Sequence, residues 1–242
     1  MTERAGNSSR NHYSSENVIV SSIDRRSVAR VINFPRKIKG KVIVDIGSGA
    51  SNMVARLRKK GAIAFGVDIG YSNIDRLIKN ADYYSRDRTF WQEERKVGEK
   101  KFTLDYPFDP STTSWASFGI DQKALLDFSN DARDTENSSY IAADARALPF
   151  PDESVDFAYS NLALTIFLSK DRNAFLRSVH EAVRILKPGG ELQLFDWISG
   201  DDWSSAQIRN GRALLDSLRS IKIPFQEETV RRGAARLRIQ KP

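Results

Sequence analysis

What most constrains this chain is a repeated switch between two hydrophobic periods. Val42-Ile43-Val44-Asp45-Ile46 is a β-branched run stopped by Gly47-Ser48-Gly49. From Asn52 to Lys60 the pattern turns helical, with Met53, Val54 and Leu57 on one side and Arg56, Arg58, Lys59 and Lys60 outward. After Gly61 comes a second apolar strand, Ala62 to Asp68, and then a short helix, Ser72 to Asn80. Strands that are apolar throughout must be buried on both faces, and intervening helices supply the cover. The expectation is an α/β fold on a mainly parallel sheet.

The alternation resumes late in the chain. Tyr140 to Asp144 reads as a third strand and Val155 to Ser160 as a fourth. Between Asp171 and Leu186 a helix places Phe175, Leu176, Val179, Val183 and Leu186 on one face, and Lys187-Pro188-Gly189-Gly190 is read as its stop. Glu191 to Trp197 gives a fifth strand and Ser204 to Ser220 a further amphipathic helix. Ile223 to Val230 and Ala235 to Gln240 flank a turn with Gly233, so an antiparallel hairpin is expected there.

The interval from Gly70 to Ser139 breaks this rhythm. At about seventy residues it is too long for a structureless crossover, so extra helices or a lid are expected. It is rich in aromatics, among them Trp91, Phe102, Tyr106 and Trp115. Such side chains serve either as the insertion's own small core or as the wall of a substrate pocket.

With 242 residues, the chain suits one domain with additions. It has no cysteine, which removes disulfides, thiolate metal sites and cysteine nucleophiles. No run of about 18 apolar residues marks a membrane span, and the N-terminus lacks a signal peptide's apolar stretch. A cytoplasmic protein is therefore expected. The net charge of +7 belongs to the ends. Residues 1–40 hold eight Lys/Arg against three Asp/Glu, residues 221–242 six against two, and the body 24 against 26. Basic ends suit a nucleic acid, an acidic substrate or simple solvation, so charge alone selects no partner.

The strongest local signal is Asp45-Ile46-Gly47-Ser48-Gly49-Ala50-Ser51. Glycines in a strand-to-helix turn let the backbone approach a ligand closely. Asp68 lies 19 residues past Gly49, at the end of the next strand, where a carboxylate can accept both hydroxyls of a ribose. The competing role for Asp68 is to cap the helix that follows.

These residues resemble the class I S-adenosylmethionine-dependent methyltransferases. VIVDIGSGAS looks like the family's first motif and GVDIG like its second; YIAADARALPFPDESVDFAYSN is similar to the stretch joining its third and fourth strands. ILKPGGELQLFDW resembles the helix end and fifth strand, and the terminal hairpin resembles strands six and seven. The resemblance covers residues 41–80 and 139–240, and PFPDESVD leans toward a small-molecule subgroup that includes quinone C-methyltransferases. It implies a Rossmann-like, seven-stranded mixed sheet with helices on both faces, an antiparallel C-terminal hairpin, and a long insertion between strands 2 and 3. The domain would run over residues 41–242 with an insertion at 81–138, behind an N-terminal extension, 1–40, that could act as a lid.

The same resemblance implies the site. Asp45, Gly47 and Gly49 would surround the methionine part of S-adenosylmethionine, Asp68 would hold the ribose, and Ser48 and Ile69 would join the cofactor contacts. Asp144 and Ala145 would meet the adenine edge, and Ser160 and Asn161 would face the methyl group. Ser51 stands where the family usually has a third glycine, so a tighter turn with a hydroxyl near the cofactor is expected, and a non-catalytic relative stays open. A dinucleotide is the competing ligand, but it would want glycine where this chain has Asn52.

Methyl transfer from a sulfonium needs alignment, exclusion of water and, at times, a proton acceptor. No metal-ligand spacing is visible, and no catalytic base is named. His180 reads as a structural or surface residue, and His12 as part of a flexible terminus. Methylation at pyrimidine C5 is excluded by the missing cysteine. The N-P-P-aromatic signature of enzymes that methylate nucleic-acid amino groups is absent too, because Ser160-Asn161-Leu162-Ala163 takes its place. A small-molecule acceptor is the leading expectation. The alternative is RNA or protein held by the basic ends, especially Arg231, Arg232, Arg236 and Arg238. The sequence does not fix the oligomeric state.

Overall fold

The computed structural model describes residue 28 and residues 31–86, 91–97, 100–106, 122–134, 139–161, 163–167, 171–197, 205–220, 223–229 and 235–242. The apolar runs become a seven-stranded sheet. Its strands are β1 (Val42–Ile46), β2 (Ile63–Asp68), β5 (Tyr140–Ala142), β6 (Val155–Asn161), β7 (Leu186–Trp197), β8 (Gln226–Thr229) and β9 (Ala235–Gln240), in the order β5-β2-β1-β6-β7-β9-β8. Pairing is parallel from β5 to β7, and β9 runs antiparallel to both β7 and β8. The sheet, its mixed sense and its terminal hairpin match the expectation. With β2 on one side of β1 and β6 on the other, the chain reverses direction of winding at β1. In open α/β sheets that is where a crevice forms beyond the carboxyl ends of the strands.

Residue alternation along β1 assigns the two faces. Val44 and Ile46 join Ala158, Leu192 and Leu194 on one face, covered by Phe175 and Val179 of α5 (Arg172–Ile185) and Leu214 and Leu218 of α6 (Ser205–Ser220). On the other face lie Ile43, Ala64, Phe157 and Tyr159, against Val54 and Leu57 of α1 (Met53–Lys59) and Leu77 of α2 (Ile74–Arg86). Part of the N-terminal extension belongs to this second core. Val28 and Ile32 are buried there, and the Phe34 ring packs on Phe157 and Tyr159 at 5.7 and 5.2 Å. Gln193 of β7 fixes the segment by accepting from the Asn33 N–H (2.8 Å) and donating to its carbonyl (3.0 Å). Of the extension 1–40 expected as a lid, residues 1–27, His12 among them, and 29–30 lie outside the described residues.

The insertion carries more than the expected helices. It holds an antiparallel pair, β3 (Trp91–Val97) and β4 (Lys100–Tyr106), which forms a separate two-stranded sheet. It also holds α3 (Gln122–Ala132), whose Leu125 and Phe128 are buried in the second core. Phe128 packs against Tyr71 and Tyr140, with ring centroids 6.4 and 5.1 Å apart. Polar contacts hold α3 on α1: Asp127 accepts from Asn52 Nδ2 (3.1 Å) and pairs with Arg56 (3.3 Å), and Asp131 pairs with Arg58 (3.4 Å). The α3 aromatic therefore serves the main core rather than a separate one. Of the insertion's aromatics weighed as its own core or as a pocket wall, Trp115 lies outside the described residues, and so do Phe90, Phe108 and Phe118.

One boundary differs in kind. Lys187-Pro188-Gly189-Gly190 is not a helix stop; it lies within β7. The α5 helix already ends at Ile185, where Arg184 and Ile185 carbonyls accept from the N–H groups of Glu153 and Ser154 (3.2 and 2.9 Å). Gly189, at φ +74°, and Gly190 exchange backbone bonds with Lys241, so the glycines continue the sheet as an irregular strand. A one-turn helix, α4 (Ala163–Phe167), follows β6 and was not foreseen.

Candidate functional site

Gly47 leaves β1 with φ +75°, and its N–H donates to the Val67 carbonyl of β2 (2.7 Å). A Cβ at this position would lie 2.0 Å from Cβ of Ala163, the first residue of α4. Gly47 thus allows the turn to touch α4, and its positive φ suits a residue without Cβ. Gly49 follows at φ +52°, donates to Asp68 Oδ2 (3.0 Å) and accepts from Tyr71 Oη (2.6 Å). The turn after β1 and the end of β2 are thereby joined through one backbone N–H. The Ser48 hydroxyl donates back to Asp45 Oδ2 (3.1 Å), in space left by Gly66, where a Cβ would meet Ser48 Oγ at 2.9 Å.

Asp68 takes both roles weighed for it. Oδ1 accepts from the Gly70 N–H (2.7 Å) and starts the 3₁₀ turn Ile69–Asn73, while Oδ2 holds Gly49. Each carboxylate oxygen retains acceptor capacity, so ribose hydroxyls could still be bound. Burial pushes the Asp68 carboxyl above the usual carboxylate range, and the two backbone donors oppose that shift. Beside it, Ile69 is 70% exposed, an apolar side chain open at the strand end. These features fit a nucleoside: acceptors for hydroxyls next to an uncovered apolar surface.

Asp45 is buried, and that burial pushes its carboxyl up to about 7, against the pull of the Tyr159 and Ser48 hydroxyls. Tyr159, its neighbour on β6, is buried too, and among the described residues its Oη has no hydrogen-bond partner. The native state therefore holds a proton on Asp45 that the unfolded chain gives up near pH 4. Asp45's contribution to stability is expected to fall as pH rises from about 4 to about 7, by about 4 kcal/mol. Thermal unfolding of Asp45→Asn should lose that component of the pH dependence, and a profile equal to the wild-type one would exclude Asp45 as its source.

The remaining sequence-predicted residues lie at neighbouring strand ends, since β5 pairs with β2 and β6 with β1. The Asp144 and Ser160 side chains are engaged. Both Asp144 oxygens accept from Arg146, whose Nε lies 2.9 and 3.0 Å away, and this contact holds the carboxyl below its usual range. Ala145 is half-buried in the same turn. Ser160 Oγ is buried and accepts from the Leu164 N–H (3.2 Å), which caps α4; Asn161 is half-buried at the end of β6. The Ser51 hydroxyl accepts from the Met53 N–H (3.2 Å) at the start of α1. Asn52 is wholly buried on Asp127, a bulky polar group where a dinucleotide turn would want glycine. His180 is exposed on α5.

Tyr71, Tyr159, Arg146 and the pair Glu181–Arg184 support this region and were not singled out by sequence. The tyrosines look like ordinary core aromatics in the sequence, and only their hydroxyl positions set them apart. Arg236 and Arg238, the candidate RNA contacts, are engaged in ion pairs. Arg236 pairs with Glu228, and Arg238 pairs with Glu191 (2.7 Å) and Glu228 (2.8 Å). Arg231 and Arg232 lie outside the described residues. Among the described residues no helix is long and apolar enough to cross a membrane, and no cluster of candidate metal ligands occurs.

Residues 110–194 match the family model of a methyltransferase domain. Over 61 residues the chain is 41% identical to the ubiquinone/menaquinone biosynthesis C-methyltransferase UbiE of Shewanella sp. strain ANA-3, covering 25% of this chain and 22% of that protein. The same values hold for its counterpart in Shewanella baltica strain OS155. The chain thus spans about a fifth of the length of these curated relatives. A solved methyltransferase of Aquifex aeolicus is 13% identical with a TM-score of 0.47, covering 85% of each chain. One from Methanococcus maripaludis is 14% identical with the same score, covering 84% of this chain and 78% of its own. Residues 110–194 of this chain are thus similar to a methyltransferase domain, and they contribute to a sheet ordered β5-β2-β1-β6-β7-β9-β8.

Proposed function

We propose that this protein moves a methyl group from S-adenosylmethionine to an O, N or C atom of a small or medium organic molecule by direct displacement. The observation that carries this reading is the Gly49 N–H bound to Asp68, which sets a glycine turn and a ribose-type acceptor side by side at two strand ends. When bound, the cofactor supplies an activated methyl group on a positive sulfur. The chain supplies the rest. Gly47 and Gly49 would give close backbone approach; Asp68 would take the ribose hydroxyls, with Ile69 against the base. The Asp144–Ala145 turn would border the adenine, and Ser160 and Asn161 would lie toward the acceptor. A cation brought near Asp45 lowers the cost of its ionised form, so a positively charged ligand suits a buried carboxyl of this kind. This is a better match than a pyrophosphate, which the same carboxyl would repel.

The quinone-type subgroup is part of the proposal, supported by the local identity to UbiE proteins and by the PFPDESVD stretch. So are a cytoplasmic setting, in keeping with a chain free of cysteine, and a closing role for the N-terminal segment. RNA or protein as acceptor is less favoured, because Arg236 and Arg238 are already neutralised by Glu228 and Glu191. Calorimetry with S-adenosylmethionine and with NAD separates the ligand classes. Transfer of labelled methyl to a panel of phenols, amines and quinols then tests the reaction. Tight binding of NAD, or cofactor binding with no transfer to any acceptor, would count against the proposal.

A further inference from the structure

Arg184 stands at the end of α5, away from the strand ends just described, and uses its whole guanidinium. Nε donates to Glu181 Oε1 (2.9 Å), one terminal nitrogen to the Phe150 carbonyl (2.9 Å) and Asp152 (2.6 Å), and the other to the Leu148 carbonyl (3.0 Å) and Glu181 Oε2 (2.8 Å). Five N–H groups are all a guanidinium has. Glu181 completes the arrangement by accepting from the Leu148 N–H (3.0 Å). Two side chains one helical turn apart thus hold three backbone groups of the loop between β5 and β6. The loop also buries Leu148, and the Phe150 ring packs on Phe65 of β2 at 5.5 Å. At its other end the Ala143 N–H approaches the Asp68 carbonyl (3.4 Å). The Asp144–Ala145 turn is suspended between these two anchors.

We propose that Arg184, with Glu181 beneath it, is a positioning residue that sets the Asp144–Ala145 turn for the adenine end of the cofactor. This rests on the methyltransferase reading above. A planar fork fixed at five points restrains the loop in a way that a lysine, with three donors and no fork, cannot reproduce. Preorganisation of this kind lowers the ordering cost of binding without touching the reacting atoms.

The test compares Arg184→Met, Arg184→Lys and the milder Glu181→Gln in the full chain, with S-adenosylhomocysteine and 5′-methylthioadenosine as calorimetric probes. Arg184→Met should weaken both probes by about tenfold, because both carry adenine, while kcat at saturating cofactor stays within about twofold. Arg184→Lys should recover part of the loss, and amide exchange over residues 144–150 should quicken in step with it. If Arg184→Met does not fold, the same ordering is read from Arg184→Lys and Glu181→Gln. Wild-type affinity for both probes in folded variants, with only a lower Tm, would overturn the proposal and leave a stability clamp. Faster loop exchange in the variants of a wild-type protein that binds neither probe would instead overturn the methyltransferase reading, and the adenine role with it.

Discussion

Asp68→Ala should weaken S-adenosylmethionine binding by about 10²- to 10³-fold while leaving the protein folded. The carboxylate has two tasks at once. It would accept two ribose hydroxyls, each a charge-assisted bond of about 1.5–3 kcal/mol. It also holds the Gly49 and Gly70 N–H groups at 3.0 and 2.7 Å. Removing it frees the turn from β2, so binding loses both the direct contacts and the turn's fixed shape. Asp68→Asn separates the two. An amide keeps one oxygen acceptor, but it cannot accept at both ends, so it should lie between Ala and wild type. Calorimetry with S-adenosylhomocysteine gives the affinity, and near-ultraviolet circular dichroism checks the fold. Unchanged affinity in Asp68→Ala would remove Asp68 from the cofactor site and leave it only its structural bonds to Gly49 and Gly70.

How far this was visible beforehand varies with the physics of each segment. β1, β2 and β6 are legible because most of their residues are buried on both faces, so the signal is a largely apolar run, which ends at glycine after β1 and at a carboxylate in β2. β3 and β4 are not: WQEERKV and KKFTLDY are strongly charged, and nothing in them demands a buried strand. Lys187-Pro188-Gly189-Gly190 misled for a different reason. Proline and two glycines are good helix stops, but here the loop before β6 ends the helix first by donating to Arg184 and Ile185, and Lys241 draws the glycines into the sheet. The site divides the same way. Asp45, Gly47, Gly49 and Asp68 are exposed by motif spacing, since their roles follow from position at strand ends. The engagement of Asp144 by Arg146 is local enough to guess, yet acidic and basic residues two apart are too common to carry a signal. Tyr71 on Gly49 spans 22 residues and Arg184 on Phe150 spans 34, and such contacts exist only once the sheet has assembled.

Gly47→Ala is expected to be the most damaging single methyl group that can be added near the site. Two separate costs apply. At φ +75° an alanine costs about 1 kcal/mol relative to glycine. The larger one is steric, because the new Cβ would lie 2.0 Å from the Ala163 Cβ, far inside contact distance, and both groups sit on backbone that cannot rotate away. Either the turn after β1 or the short helix α4 must shift. Both border the crevice, and α4 is also tied to β6 through Ser160. Cofactor binding should fall below detection, and Tm should drop by several degrees. The double variant Gly47→Ala/Ala163→Gly decides which cost dominates. It removes the collision and leaves only the φ strain and about 1 kcal/mol for glycine in α4. Most of the cofactor affinity should return, giving a strongly favourable coupling in the double-mutant cycle. Additive losses in the double variant would mean that the turn fails from backbone strain alone and that its contact with α4 plays no part in shaping the site.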